Sequence, residues 1–162
     1  MELFDLVDKD DIVIGTTDKP TAHAQGLLHR VAAVYVFNEN GELYVQVHKG
    51  SGGLLDHSVG GHVSKGEDYA TAASREAMEE LGLTQPLQFL STFYSDEGAY
   101  QHMFGLYECV ADQDWSFAPS EEVAEIIPMK LSELLEMMEK SPEKFTGGFI
   151  NTMRAFRKIK HL

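Results

Sequence analysis

Gly61-His62-Val63-Ser64-Lys65-Gly66-Glu67, running on through Asp68 to Arg75-Glu76-Ala77-Met78-Glu79-Glu80-Leu81-Gly82-Leu83, is the stretch on which the reading of this chain turns. Asp68 is a ready N-cap and Gly82 a ready C-terminal stop, so the spacing predicts a helix over Tyr69–Leu81. On that helix Glu76, Glu79 and Glu80 fall at i, i+3 and i+4 and share one face. Like charges so placed destabilise a helix by roughly 0.2–0.5 kcal/mol per pair, so the arrangement calls for compensation from Arg75 or from a cation. Hard divalent cations prefer such oxygen ligands. A solvated acidic face would carry the same charges, in a chain with 26 acidic residues. The glycines at 60, 61 and 66 change the weighing. They mark backbone brought close to something, or held at positive φ, and with Glu67 they outline a loop–helix site for metal and phosphate. Ala70, Ser74, Ala77 and Leu81 form a small-residue stripe on which the helix is expected to lie against a sheet.

Working outward, Val31–Phe37 reads as a buried strand. Asn38-Glu39-Asn40-Gly41 is a turn, and Glu42–Val47 resumes strand character, so the two make a hairpin. A short first strand is expected at Asp11–Gly15, followed by a polar, turn-rich stretch to Gly26. Phe89–Tyr94, Met103–Val110 and Val123–Ile127 read as later strands, the last stopped by Pro128. Leu131, Leu134, Leu135 and Met138 carry the i, i+3, i+4, i+7 signature of an amphipathic helix. Phe149, Met153 and Phe156 mark a final one, with Arg154, Arg157, Lys158 and Lys160 toward its C-terminus, where the helix dipole favours cations. Strands, helix, strands, helices make the class α+β with a mixed sheet.

With 162 residues, 43% of them apolar, the chain is one domain with a real core. It holds no apolar run long enough for a transmembrane helix. The acidic opening Met1-Glu2-Leu3-Phe4-Asp5 lacks the layout of a signal peptide. Cys109 is the only cysteine, so no internal disulfide forms, and a reducing cytoplasm is the expected location. The residue itself reads as core. A net charge of -13 argues against nucleic acid as a partner. An acidic protein that handles phosphates needs cations as mediators, and a carboxylate–metal site supplies them.

The stretch from Gly61 to Leu83 resembles the Nudix box, Gly-x5-Glu-x7-Arg-Glu-U-x-Glu-Glu-x-Gly-U with U aliphatic. Gly61, Glu67, Arg75, Glu76, Glu79, Glu80, Gly82 and Leu83 fill its positions, and Ala77 is a small choice at a U site. The resemblance implies an α/β/α sandwich with a mixed central β-sheet. It also implies hydrolysis of a nucleoside diphosphate linked to another moiety, or of a related small diphosphate, with Mg²⁺ or Mn²⁺. Glu76 and Glu80 would be the principal metal ligands, with Glu79 and a backbone carbonyl near Gly60–Gly61 beside them. Glu67, counted with the metal set, and Arg75 would support the loop and orient the helix. The implied general base is Glu76, with Glu121 or Glu122 as alternatives. Lys49, Lys65 and Arg30 are candidates to meet phosphate as point charges. By analogy with the family, a homodimer is a further expectation.

A second pattern is similar to the isopentenyl diphosphate isomerase-like branch of that superfamily. It comprises Ala22-His23, Gly26-Leu27-Leu28-His29-Arg30, Phe37-Asn38 and Asp56-His57-Ser58-Val59-Gly60-Gly61-His62. In the isomerases, histidines matching His23, His29 and His62 bind a divalent metal, which implies a second metal site here. His57 and His102 are weaker candidates. The isomerases carry cysteine where this chain has Gly60, and Glu-x-Glu near Tyr100-Gln101-His102. Lacking both, the chain reads as an isomerase-like scaffold doing hydrolase chemistry, with a true isomerase or a non-catalytic nucleotide sensor as the other readings. Ser95–Gln101 and Ser116–Glu122 are expected to read the variable half of the substrate. Tyr94, Tyr100, Phe104 and Trp115 read mainly as core, and as candidates to stack on a base.

Overall fold

The computed structural model describes residues 1–96 and 101–162. Strand β3 (His29–Phe37) is the spine of a mixed sheet, and its side chains alternate between two cores. Ala32, Val34 and Val36 join Val59, Ala73, Ala77 and Leu81 on one face, beneath helix α2 (Tyr69–Leu81). Ala33 and Tyr35 join Leu134, Phe149, Met153 and Phe156 on the other, beneath α3 (Leu131–Lys140) and α4 (Gly147–Lys160). That period of two, apolar on both sides, is what a strand buried between helical layers requires. The result is the expected α+β class, an α/β/α sandwich with a mixed sheet.

Around β3 the pairing is antiparallel to β1 (Leu3–Val7), β4 (Leu43–Val47) and β6 (Val59–His62), and parallel to β8 (His102–Val110). β7 (Gln88–Ser95) flanks β8. β2 (Val13–Asp18) flanks β1, while β5 (Leu55–Asp56) and β9 (Ile126–Met129) flank β4. The hairpin at Asn38–Gly41 is as expected, with the Asn38 side chain accepting from the amides of Asn40 and Glu42 and Gly41 at φ 78°.

Helix α2 runs over the expected residues, with Asp68 Oδ1 accepting from the Thr71 amide at 2.7 Å and Gly82 left-handed at φ 64°. Its packing stripe differs from expectation. Ala72, Ala73, Ala77 and Leu81 are buried, whereas Ala70 and Ser74 face solvent. Small residues run all round the first two turns, so size alone does not fix the rotational phase. The start of α2 is instead anchored by Tyr69. A Cβ added at Gly105 on β8 would lie 2.4 Å from the Tyr69 ring, whose hydroxyl donates to Asp11.

Further differences lie in the N-terminal third and at Pro128. The first strand is Leu3–Val7, and the second starts at Val13 rather than Asp11. The stretch read as turns contains the end of β2 and a seven-residue helix, α1 (Lys19–Gln25), capped by Asp18 and ended by Gly26 at φ 62°. Pro128 sits inside β9 opposite Tyr44 and does not stop it. Among the described residues β9 pairs with β4 alone, so the missing N–H of proline falls on an open edge.

Candidate functional site

The Gly61–Leu83 stretch folds into strand, tight loop and helix, and the loop brings the carboxylates together. Gly66 at φ 78° turns the chain, and the Glu67 amide donates to the Ser64 carbonyl at 2.9 Å. Arg75 then clamps the unit. Its Nε and Nη2 donate to the two oxygens of Glu67 at 2.9 and 2.8 Å, Nη2 also to the His62 carbonyl at 3.1 Å, and Nη1 to Glu76 Oε1 at 2.7 Å. Glu79 is further off, 3.4 Å from Nη1 and 46% exposed. Hydrogen bonds from Arg75 hold the Glu67 carboxyl below its ordinary range, against some burial. Glu67 also accepts from the Ser64 amide at 3.1 Å and does not line the acidic cleft, so in this structure it braces the loop through Arg75.

The cleft itself, about 430 Å³, is walled by Gly60, Gly61, Glu76, Glu79, Glu80 and Glu122. Gly61 is there because nothing larger fits. A Cβ at that position would lie 2.1 Å from Glu76 Cδ. Gly60 is under no such constraint, since its Cβ would meet only His57 Nδ1 at 3.6 Å. Glu80 is the most deeply set of the three helical glutamates, 8% exposed, accepting from Gln46 Nε2 at 3.0 Å and from the Gly60 amide at 3.1 Å. Burial pushes its carboxyl up to about 8, with the Glu76 charge adding to the rise and the Gln46 and Gly60 hydrogen bonds opposing it. Burial also raises Glu76, against the pull of Arg75. Carboxylates so placed are short of positive charge, and a divalent cation fits that deficit. Of the two loop glutamates, Glu122 reaches the cleft, while Glu121 contributes its backbone carbonyl to Lys49.

A larger cavity of about 630 Å³ opens beside the cleft and shares Gly60, Gly61, His62, Glu80 and Glu122 with it. Lys19, Lys49, Asp56 and His57 line it, as do Thr146–Gly148 at the start of α4. Lys65 and Arg30 line neither space. The Lys65 amide is tied to the Leu3 carbonyl with its side chain exposed, and Arg30 is bound to Asp11 at 2.7 Å and stacked over Tyr69.

Strand register assembles the histidines. His29 on β3 pairs with His102 on β8, His62 on β6 lies across from Val31, and α1 delivers His23. One ring nitrogen from each of the four lies within 4.8 Å of the others. His29 is 1% exposed. Its Nδ1 donates to the Leu27 carbonyl at 2.8 Å, which leaves a buried Nε2 lone pair with no hydrogen-bond partner among the described residues. Burial and mutual repulsion hold His62 and His102 down to about 3, so both are neutral. Four imidazoles converging on one point fit a divalent ion that favours nitrogen. His102 is the member that spacing ranked low, because its placement depends on β3–β8 register, and no local pattern reports that.

Asp56 and His57 stand in the sequence within the Asp56–His62 pattern, where His57 is a weaker candidate and Asp56 is given no role of its own. Of the aromatic stacking candidates, Phe104 is core, Trp115 donates to the Leu81 carbonyl at 2.9 Å, and Tyr94 lies under Lys9. Tyr100, with residues 97–99 of the expected specificity loop, lies outside the described residues.

A family model for the NUDIX domain matches residues 27–148. The chain is 33% identical to an isopentenyl-diphosphate Delta-isomerase of Serratia proteamaculans, covering 94% of this chain and 90% of that protein. It is 32% identical to an uncharacterized Nudix hydrolase of Yersinia pestis, covering 82% and 76%. Among solved structures it is similar to DR0079 from Deinococcus radiodurans, at 26% identity and a TM-score of 0.77 over 95% of this chain and 98% of that one.

Proposed function

The chain belongs to the NUDIX domain family, and from that premise we propose that it hydrolyses the pyrophosphate bond of a small organic diphosphate, with Mg²⁺ or Mn²⁺ held by Glu76, Glu79 and Glu80. The observation that carries this reading is Glu80. It is a nearly buried carboxyl gripped by Gln46 and the Gly60 amide, at the junction of an acidic cleft and a larger cavity. When bound, the ion neutralises charge on the diphosphate and acidifies a water. The protein's own groups do the rest. Arg75 and Glu67 fix the helix against the loop, so the Glu76 and Glu80 carboxylates are oriented before substrate arrives. Glu76 takes the proton of the attacking water, with Glu122 a further carboxylate on the cleft's rim. Lys49, tied to the Ser120 and Glu121 carbonyls, sets that rim's position. The histidine cluster holds a second ion, through His23, His29, His62 and His102.

The relatives named as isomerases keep a second reading in view. Against it, residue 60 is glycine and offers no thiol, and Cys109, on β8, lines neither cavity and is pushed up to about 11 by burial.

The deciding experiment is product release from nucleoside diphosphates, nucleotide sugars, dinucleoside polyphosphates and isopentenyl diphosphate, with Mg²⁺ or Mn²⁺. Turnover that vanishes in Glu80→Gln and in Glu76→Gln, with folding intact, is the expected result. Retained turnover in both refutes the assignment. Isomer exchange on isopentenyl diphosphate without hydrolysis would establish the second reading.

A further inference from the structure

The larger cavity contains an anion that the hydrolysis does not use. Asp56, on β5, has one oxygen saturated. Oδ1 accepts from the His57 amide at 2.8 Å and from Thr146 Oγ1 at 2.9 Å, and His57 Nδ1 lies 2.7 Å away. Its other oxygen, Oδ2, accepts no hydrogen bond among the described residues, and His48 Nε2 lies 3.9 Å from it. The carboxylate is held from behind by a buried chain. His57 Nε2 is 2.7 Å from Thr152 Oγ1, which is in turn 2.7 Å from the Tyr35 hydroxyl. Thr152, His57 and Asp56 have the connectivity of a nucleophilic triad, yet the Thr152 hydroxyl is fully buried and cannot meet a substrate. The chain therefore works in the other direction, fixing the rotamer of Asp56 from the core outward.

Burial alone would raise the Asp56 carboxyl, but the neighbouring His57 outweighs it and holds the group down at about 2. So low a value makes it a poor general base near neutrality and a permanent acceptor. A carboxylate at the wall of a cavity, with one oxygen locked and the other open, suits hydrogen-bond donors on a ligand. It opposes a hydrocarbon, which would desolvate that oxygen without replacing the lost water. We propose that Asp56 is a specificity-determining residue, whose free Oδ2 accepts hydrogen bonds from hydroxyl groups on the organic half of the diphosphate, selecting a polyol moiety over a prenyl chain. This rests on the diphosphate reading above and adds to it which kind of organic group the cavity takes.

The test uses three matched probes: ribose 5-diphosphate, its 2,3-dideoxy counterpart, and isopentyl diphosphate. Each is measured for turnover, and as its methylene-bridged analogue for equilibrium binding with Mg²⁺ present. Wild-type protein is expected to favour the ribosyl probe over the dideoxy one by about tenfold or more, since a site built for a hydroxyl rejects the analogue that lacks it. In Asp56→Asn that preference is expected to collapse to within about twofold, with the isopentyl probe unchanged or tighter. A purely structural role would weaken all three alike. Equal wild-type binding of the ribosyl and dideoxy probes overturns the proposal, and does so without any variant, should Asp56→Asn fail to fold. A preference that persists in Asp56→Asn overturns it as well. Absence of turnover with any probe, alongside the binding preference and its loss in the variant, would sink the hydrolase reading and leave Asp56 standing.

Discussion

Gly61→Ala separates the chemistry of the acidic cleft from the stability of the fold. The added methyl would sit 2.1 Å from Glu76 Cδ and 2.4 Å from Oε1. Carbon atoms rest at about 3.5–4.0 Å, so the Glu76 carboxyl must retreat by roughly 1.5 Å. The obstacle is the end of a flexible side chain and not backbone, so the fold gives way cheaply. Overpacking at the low end, about 1 kcal/mol, is expected. For a chain of this size that lowers the melting temperature by about 2–4 °C. The carboxylate cannot retreat and keep both its 2.7 Å bond to Arg75 and its place beside Glu80. Metal affinity should therefore fall about 10–100-fold. Turnover should fall about 100-fold, as a misplacement of about 1 Å entails. Calorimetric titration with Mn²⁺, thermal melting and steady-state turnover on the same preparation measure the three. Metal affinity within about threefold of wild type would refute the reasoning, because the close approach would then not govern Glu76. A melting point lower by more than about 10 °C would refute the claim that the strain is local.

The neighbouring Gly60→Ala is the contrasting case. Its Cβ meets His57 Nδ1 at an ordinary 3.6 Å, so melting temperature and metal affinity should stay near wild type, and a loss like that of Gly61→Ala would count against the geometry. Burial raises Glu80 to about 8. Its contribution to stability is therefore present below the ordinary carboxylate range and lost as pH rises through about 8. Metal-free protein should melt lower at pH 9 than at pH 6, added Mg²⁺ should reverse the trend, and a flat profile would exclude a raised Glu80. Gly105→Ala drives a Cβ to 2.4 Å from a Tyr69 ring pinned by Asp11, so it should destabilise by about 2–3 kcal/mol, read as a melting temperature about 4–12 °C lower. His29→Gln should reduce the number of bound Zn²⁺ ions by one in a titration followed by elemental analysis, and unchanged stoichiometry would rule out the histidine cluster as an ion site.

What could be read in the sequence was local, and what could not was long-range. Helix α2 was legible to the residue because Asp68 and Gly82 mark its ends chemically. The β3–β4 hairpin was legible because Asn38 and Gly41 can do little else there. The Glu76–Glu79–Glu80 face followed from helical spacing once the ends were known. By contrast β1, β5 and β6 have five, two and four residues, too few for a periodic pattern to stand out, and α1 is a seven-residue helix in a polar stretch. The phase of α2 is not legible because Ala70, Ala72, Ala73 and Ser74 are equally small, and it is long-range contacts such as Tyr69 against Gly105 that accompany the observed one. Arg30 looked like a phosphate ligand by charge alone, but its Asp11 partner sits 19 positions away. His102 and Asp56 gain their places through strand pairing and through Thr146, ninety positions downstream of Asp56, where no window of periodicity can look.

Strand β6 is four residues long, and three of them answer to different masters. The Gly60 amide grips Glu80, Gly61 makes room for Glu76, and His62 joins the histidines. Successive residues of a strand face opposite ways, so a slip of one position would strip both clusters at once. The two clusters are therefore inherited together at this point in the chain and separately everywhere else. A chimera that exchanges α2 with a relative transplants the carboxylates alone, and one that exchanges α1 transplants a single imidazole. One that exchanges residues 59–62 carries a part of each, and it will function only where both halves of the recipient already match.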